Sequence, residues 1–132
     1  MKLFRKLIGF TLIELLLVLT LVSLLAWIAY PMYTQPMNKA RRAEAKIALL
    51  ELTDRMEDYY IANNNSYKNA NLEKLDSAEK TSKGYYKLAV LATTNTTYAV
   101  QATATFPDSE CTSFTLDQRG NKTSTGTLSE CW

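Results

Sequence analysis

The sequence predicts an α+β protein in which a long amino-terminal helix packs on a small antiparallel sheet. Three observations predict this class: an apolar run at residues 10–30, a helical repeat of apolar residues at 39–62, and short strand-like stretches after residue 84. Helices and strands that are segregated along a chain are typical of α+β folds, because each apolar face must be buried against another layer. The 132 residues suit one modest domain with an appended segment.

The apolar run at residues 10–30 follows a short leader that contains Lys2, Arg5 and Lys6. A helix rises about 1.5 Å per residue, so a run of this length just spans a hydrocarbon core of roughly 30 Å. The run is longer than the core of a secretory signal peptide, and no small-x-small cleavage site follows it. It is therefore predicted to be a retained membrane anchor, with the leader in the cytoplasm and the carboxyl-terminal part exported.

Glu14 is the single charged residue in this run. A carboxylate at the centre of a membrane helix costs about 2.5–3.5 kcal/mol on insertion scales, and an intramembrane ionisable residue is functional by default. The cost is lower near the cytoplasmic end of the helix, because the side chain there approaches the interface. Two explanations remain open: a partner of opposite charge, or simple snorkelling of Glu14 at the membrane edge.

The stretch GFTLIELLLVL, with the basic leader before it, resembles the class III signal of type IV pilins and pseudopilins. Gly9, Phe10 and Glu14 occupy the glycine, phenylalanine and glutamate positions of that signal. The resemblance implies that a prepilin peptidase cuts between Gly9 and Phe10 and methylates the new amine of Phe10. It also implies that Glu14 pairs with the Phe10 amine of a neighbouring subunit, which specifies register in a filament.

The resemblance further implies a division of the chain and a location for each part. Residues 1–9 are the leader, residues 10–30 are the transmembrane and filament-core helix, and residues 31–132 are the globular head of a pilin fold. The expected location is the inner membrane of a Gram-negative bacterium, as a single-pass protein with a periplasmic carboxyl terminus, and after assembly the extracellular pilus. Expected partners are other pilin subunits, the prepilin peptidase and the inner-membrane assembly machinery.

Pro31 and Pro36 follow the apolar run. A proline in a helix interior removes one backbone hydrogen bond and tends to kink the axis. The helix therefore either ends here or continues through a bent or locally melted region. Continuation is favoured because a helical pattern resumes at residue 39. Within the resembled family, such a region allows the filament to curve or stretch.

Residues 39–62 are predicted to form an amphipathic helix. Its apolar residues recur every three or four positions, at Ala45, Leu49, Leu52, Met56 and Tyr59. This stripe is predicted to be the surface on which a sheet packs. The NNNS sequence at residues 63–66 is predicted to end the helix, because asparagine tolerates left-handed backbone conformations.

Residues 67–84 are predicted to be a connecting loop with a short helical turn near residues 72–75. Three strands are predicted after it, at residues 85–92 (YYKLAVLA), 97–104 (TYAVQATA) and 113–118 (SFTLDQ). The polar TTNT sequence between the first two strands is typical of a hairpin. Gly120 and Asn121 indicate a turn after the third strand.

Cys111 and Cys131 lie near the carboxyl terminus. In an exported context they indicate a disulfide, which is worth roughly 3 kcal/mol for a loop of this size. A redox or metal role is disfavoured, because no third cysteine and no histidine accompany them. The absence of histidine also excludes a Ser–His or Cys–His nucleophile, so no enzymatic activity, cofactor or metal is predicted.

The sequence CTSFTLDQRGNKT, with CW at residues 131–132, resembles the carboxyl-terminal disulfide loop of minor pilins of the type IVa system. The resemblance implies a structural subunit of a type IV pilus, most like a minor pilin, that acts in pilus assembly and in pilus-dependent adhesion or motility. Two alternatives are a DNA-receptor pilin for natural transformation and a type II secretion pseudopilin.

DNA binding is a specific alternative because some pilins of this kind serve as receptors during DNA uptake. Seven basic residues with tyrosines among them would form the DNA-binding patch, namely Lys68, Lys74, Lys80, Lys83, Lys87, Arg119 and Lys122, with Tyr67, Tyr85 and Tyr86. Residues 63–132 hold seven basic and seven acidic side chains, however. The net charge therefore does not support a strong phosphate-binding surface.

Overall fold

The computed structural model describes residues 9–132, so the basic leader before Gly9 lies outside the described part of the chain. One helix, α1, spans Leu12–Ala62, and four strands follow: β1 at Tyr86–Thr93, β2 at Tyr98–Ala104, β3 at Ser113–Asp117 and β4 at Lys122–Thr125. The chain divides into two compact units, Met1–Met37 and Asn38–Trp132. The predicted α+β class is confirmed.

Helix α1 begins with a threonine cap. The Glu14 N–H donates to Thr11 Oγ1 at 3.3 Å, and the Leu15 N–H donates to the Thr11 carbonyl at 3.2 Å. A threonine followed three residues later by glutamate is the pattern of a capping box, in which side chains satisfy the orphan N–H groups of the first turn. Thr11 therefore caps helix α1 through the backbone N–H of Glu14.

Pro31 and Pro36 both lie inside helix α1. Of the two alternatives left by the sequence, an end of the helix at the prolines is wrong, and one long helix is observed. Neither proline can donate a backbone hydrogen bond to the preceding turn, because its nitrogen carries no hydrogen. The Thr34 hydroxyl donates to the Pro31 carbonyl at 3.2 Å, which gives that carbonyl a side-chain partner.

The carboxyl end of helix α1 is formed by asparagines, as predicted. Asn64 and Asn65 have φ angles of 52° and 57°, in the left-handed region that asparagine tolerates. The Asn65 N–H donates to the Tyr60 carbonyl at 2.9 Å, which closes the last turn. The chain then leaves the helix direction at the predicted position.

The four strands form one antiparallel sheet in the order β1-β2-β3-β4. Strand β2 pairs with β1 through Val90 and Val100, and with β3 through Val100 and Leu116. Strand β4 was not predicted. Its sequence KTST has no apolar alternation, so only its pairing with β3 reveals it as a strand.

The core of the head lies between the second half of α1 and one face of the sheet. Four residues of the predicted stripe are fully buried, namely Ala45, Leu49, Leu52 and Met56. They pack with the buried sheet residues Tyr86, Val100, Phe114 and Leu116. Each such side chain contributes about 1.5–3 kcal/mol of transfer free energy, so this small interface supplies most of the hydrophobic stabilisation of the head.

The connecting segment after α1 is held to the head by side chains of the helix. The Tyr67 ring lies 4.5 Å from that of Tyr60 and 4.7 Å from that of Tyr98, and its hydroxyl donates to Glu57 Oε1 at 2.9 Å. Further along, Arg55 donates to the Leu75 carbonyl at 3.0 Å. The segment is irregular, yet its position is fixed by these contacts.

The outer edge of β1 is partly paired with the segment that precedes it. The Leu88 N–H donates to the Glu79 carbonyl at 2.7 Å, and the Thr81 N–H donates to the Tyr86 carbonyl at 2.9 Å. Lys80 and Lys87 are bridge partners between these two segments. Further along β1, the pairing register with β2 shifts between Val90 and Ala92.

Candidate functional site

The first half of helix α1 presents its apolar side chains to the surroundings. In the apolar run the exposed fraction of the large hydrophobic side chains ranges from 47% at Val18 to 80% at Phe10. By length and composition the helix contains a segment that can cross a membrane. Such a continuous apolar surface is far larger than soluble monomers expose, so it requires lipid or other helices around it.

Gly9 and Phe10 lie just before helix α1, in residues without regular structure, and both are exposed. A Cβ atom added at Gly9 would meet nothing within 4 Å. The bond between Gly9 and Phe10 is therefore sterically accessible, as a peptidase requires. Within the described residues, nothing in the fold itself demands glycine at this position.

Glu14 lies in the first turn of helix α1, four residues after Phe10, and is exposed. The amino-terminal end of a helix carries a partial positive charge, which favours a carboxylate in the first turn by about 0.3–1 kcal/mol. An amine created at Phe10 would lie on the same end of the helix. The helix macrodipole thus lowers the cost of the Glu14 carboxylate, and the side chain is exposed.

The disulfide Cys111–Cys131 closes the β3–β4 hairpin at its base, with Cα atoms 5.8 Å apart. Cys111 is fully buried and Cys131 is 6% exposed. Trp132 follows directly: its indole N–H donates to the Thr123 carbonyl at 2.7 Å, and its ring lies 5.6 Å from that of Phe114. The carboxyl-terminal residues are therefore part of the packed head.

A buried ion network joins helix α1 to the segment just before Cys111, where the disulfide loop (residues 111–131) begins. Arg42 Nε donates to Asp108 Oδ2 at 2.7 Å, and Nη2 donates to Asp108 Oδ1 at 2.6 Å and to Glu110 Oε2 at 2.8 Å. Asp108 Oδ1 also accepts the Cys111 N–H at 3.2 Å. Burial raises the pKa of the Asp108 carboxyl, but hydrogen bonds from Arg42 and from the Cys111 N–H outweigh it and hold that pKa below its ordinary value.

Arg42 was missed in the sequence, although one signal for it exists. It lies three residues before Ala45, so it belongs to the buried stripe of the helix rather than to its solvated face. A charged residue on a core stripe requires a buried partner. Asp108 and Glu110, which lie just before the first cysteine, were the candidates for that partner.

Two of the three tyrosines proposed for a DNA-binding patch are not available to stack on bases. Tyr67 and Tyr86 are 7% and 0% exposed, since both pack in the core. Tyr85 lies under Arg41, whose guanidinium carbon is 4.7 Å from the ring centroid. The expectation that aromatic rings interleave with the surface lysines is therefore wrong for Tyr67 and Tyr86, whereas Tyr85 is partly exposed.

Gly126 gives a direct test of how closely the disulfide loop is packed. Gly126 has φ = 146°, and a Cβ there would collide with the backbone carbonyl of Glu110. Replacing Gly126 with alanine is expected to lower the free energy of unfolding by about 2–4 kcal/mol, through backbone strain and overpacking. Urea unfolding followed by circular dichroism measures the change.

Gly120→Ala is the matched control, because Gly120 also has positive φ, at 77°, but its added Cβ would meet nothing within 4 Å. This variant measures the cost of a positive φ angle at alanine alone, and it is expected to lower the free energy of unfolding by about 1 kcal/mol. Equal losses in the two variants would contradict the close contact between Gly126 and Glu110.

Comparisons with known proteins point to type IV pilins. A family model described as "Type IV minor pilin ComP, DNA uptake sequence receptor" matches residues 31–115, and a model of the prokaryotic N-terminal methylation motif matches residues 6–30. The crystal structure of the non-core minor pilin PilV of Neisseria meningitidis resembles this fold with a TM-score of 0.58 and 23% identity, over 72% of this chain and 93% of that one. No curated protein matches the chain.

Proposed function

This chain belongs to the family of type IV minor pilins. We propose that it is inserted in the inner membrane, cut between Gly9 and Phe10, and then built into a filament. Prepilin peptidase would perform the cut and methylate the Phe10 amine. The function follows from assembly rather than from catalysis by the chain itself.

The observation that carries this proposal is the exposed apolar half of helix α1. The same side chains suit hydrocarbon before assembly and neighbouring helices after it, so their burial is exchanged rather than lost on transfer. The free energy of transferring the helix from the membrane to the filament is therefore only the difference between two apolar environments. In the filament, Glu14 would pair with the Phe10 amine of a neighbour and select one register among many similar apolar contacts.

The head would then stand at the surface of the filament. Its connecting segment and the turns of its disulfide loop are irregular surface segments, which are the parts of a fold that vary most between related proteins. Adhesion or motility of a Gram-negative cell would follow from these surfaces. We propose that the head contributes contacts of this kind.

Processing is tested by intact mass and amino-terminal sequencing of the chain from membranes and from sheared surface filaments. A chain that begins with methylated Phe10 in the sheared fraction, at a low ratio to another pilin, is the expected result. A dominant amount would instead identify a major subunit. Chains that begin at Met1 and occur only in membranes would contradict the proposal.

Gly9→Val provides the matched variant for this experiment. Because a Cβ at Gly9 meets nothing within 4 Å, the substitution is expected to leave the described fold unchanged. Loss of cleavage and retention in membranes are expected, since the peptidase would no longer receive glycine before the cut. Cleavage at the normal bond in this variant would contradict the assigned site.

DNA reception is the second candidate, because the matched family model is described as a DNA uptake sequence receptor. The geometry offers one local concentration of positive charge at the edge of β1. Lys80 and Lys87 are bridge partners, Lys83 lies between them in sequence, and all three are exposed. Like charges held opposite each other repel, so an anion such as a phosphate would relieve that repulsion.

DNA reception is tested with the mature chain in detergent and a labelled duplex. Changing Lys80, Lys83 and Lys87 to glutamine is expected to weaken binding and to reduce the slope of log K against log salt by roughly 0.9 for each phosphate that the protein no longer neutralises. Lys68→Gln, at the far end of the connecting segment, serves as the single-charge control. Binding that is absent at low salt in the wild type would eliminate this candidate.

A further inference from the structure

Three large aromatic side chains lie at the far end of the apolar run. Trp27, Tyr30 and Tyr33 recur every three residues and are 79%, 75% and 70% exposed. Ser23 and Ala26 leave a shallow apolar notch beside the first two rings. Each ring carries a polar N–H or O–H group on an apolar body, so it is suited neither to the middle of a hydrocarbon layer nor to bulk water.

We propose that Trp27, Tyr30 and Tyr33, the aromatic belt, bind the interfacial region of the outer leaflet of the membrane and set the depth of helix α1 before assembly. The ligand is a lipid surface: acyl chains against the ring faces, and glycerol and headgroup oxygens at the N–H and O–H groups. Tryptophan and tyrosine concentrate at this depth in membrane proteins. The inference rests on the proposed residence of the chain in the inner membrane.

Distances along the helix agree with this placement. At about 1.5 Å per residue, Tyr30 lies roughly 24 Å from Glu14 along the axis. A hydrocarbon core of roughly 30 Å then places Glu14 about 6 Å inside the inner boundary when Tyr30 lies at the outer one. Side chains of a helix point towards its amino terminus, so the Glu14 carboxylate can approach the inner interface from there.

The aromatic belt would fix the depth of helix α1 in the membrane, which the apolar run alone does not. Between Leu12 and Ile28 most side chains are similar in hydrophobicity, so the run alone defines depth only weakly. With the rings held at the outer boundary, the helix cannot sink towards the cytoplasm. Glu14 and Phe10 are then kept within reach of the inner boundary, where the peptidase is proposed to act.

The test measures the depth of Trp27 directly. Trp27 and Trp132 are the two tryptophans of the chain, so Trp132→Phe leaves Trp27 as the sole emitter and keeps a ring against Phe114. The full chain is reconstituted in phosphatidylcholine–phosphatidylglycerol vesicles with bromine near the glycerol end or near the methyl end of the acyl chains. Quenching is expected to be about two-fold stronger with the shallow bromine, with Trp27 about 10–15 Å from the bilayer centre.

Stronger quenching by the deep bromine would overturn the proposal. So would a lack of quenching in chains that float with the vesicles, because the rings would then be covered by protein rather than lipid. Chains that do not float with vesicles at all would overturn the proposed membrane residence itself, and with it the aromatic belt.

A second measurement tests whether the aromatic belt controls depth. The test variant carries Trp132→Phe, changes Trp27, Tyr30 and Tyr33 to leucine, and has Leu19→Trp as its sole tryptophan, which reports the depth of the middle of the apolar run. The control variant has the same Trp132→Phe background and Leu19→Trp reporter, but it carries only Trp27→Phe in the belt and so retains an aromatic side chain there and both tyrosines. The depth of the reporter tryptophan is compared between the two variants. We expect loss of the belt to shift the reporter by several ångströms, and an unchanged depth would contradict control by the rings.

Discussion

Glu14→Val is expected to leave the chain in the membrane and cut after Gly9 but to lower its share in sheared filaments at least about ten-fold. Removing the carboxylate leaves the proposed amine partner on Phe10 of a neighbour buried and unpaired. Breaking one side of a buried ion pair costs about 3–5 kcal/mol, and about 1.4 kcal/mol is already a factor of ten. The ratio of this chain to the dominant pilin in filaments and membranes, by quantitative mass spectrometry, measures the effect.

Thr11→Ala separates the capping of helix α1 from the pairing proposed for the Glu14 carboxylate. It removes the hydroxyl that accepts the Glu14 N–H, which costs about 1 kcal/mol of capping, but keeps the carboxylate. A much smaller loss from filaments is expected than with Glu14→Val. Equal losses would mean that both substitutions act by weakening the start of helix α1, and would contradict pairing of Glu14 between subunits.

Arg42→Ala is expected to lower the free energy of unfolding of the head by about 3–5 kcal/mol. The substitution removes three hydrogen bonds at once and leaves the Asp108 carboxylate, whose side chain is 1% exposed, without its charged partner. Because Asp108 also accepts the Cys111 N–H, the start of the disulfide loop loses its polar link to helix α1. Urea unfolding of the oxidised protein measures the loss.

Two control variants distinguish a buried ion network from ordinary surface charge. Glu51→Ala removes the exposed pair with Arg55 and is expected to cost less than about 1 kcal/mol. Arg42→Met combined with Asp108→Leu removes both buried charges and is expected to recover most of the lost stability. A double variant as unstable as Arg42→Ala would show that packing, not unpaired charge, accounts for the loss.

The pH dependence of stability should follow Asp108. Its pKa is lower in the folded head than in the unfolded chain, so the unfolded state binds the proton more tightly. The stabilisation is present at neutral pH and is lost as the pH falls from about 4 through the folded pKa. Unfolding between pH 7 and pH 3 should show this loss in the wild type and a shallower slope in Asp108→Asn; parallel curves would contradict it.

The sequence predicted the parts of the fold that periodicity governs. Residues 45–56 repeat at helical spacing, and residues 98–104 alternate, so both buried faces could be assigned from the chain alone. Strand β4 could not, because Lys122–Thr125 is short and polar and becomes a strand only through its pairing with β3. Propensity carries little information for such an edge strand, since its hydrogen bonds depend on a neighbour.

The candidate site divides in the same way. Gly9, Phe10 and Glu14 lie within six residues of one another, so a local pattern contains them. Arg42 and Asp108 are far apart in sequence, and their contact exists only once the helix and the disulfide loop are packed. A single sequence does not show which residues far apart in the chain come into contact. Only the position of Arg42 on a core stripe indicated that it needed a buried partner.

The hydrogen bonds that Glu79 and Thr81 form with the outer edge of β1 have a consequence for closely packed subunits. An edge strand with free N–H and C=O groups is a template for edge-to-edge pairing and aggregation. Here the start of that edge is occupied, two lysines face each other across it, and the register shift between Val90 and Ala92 distorts its other half. The β1 edge is thereby a poor template for pairing with the sheet of a neighbouring head, whereas the contact surface of the apolar helix stays open to neighbours.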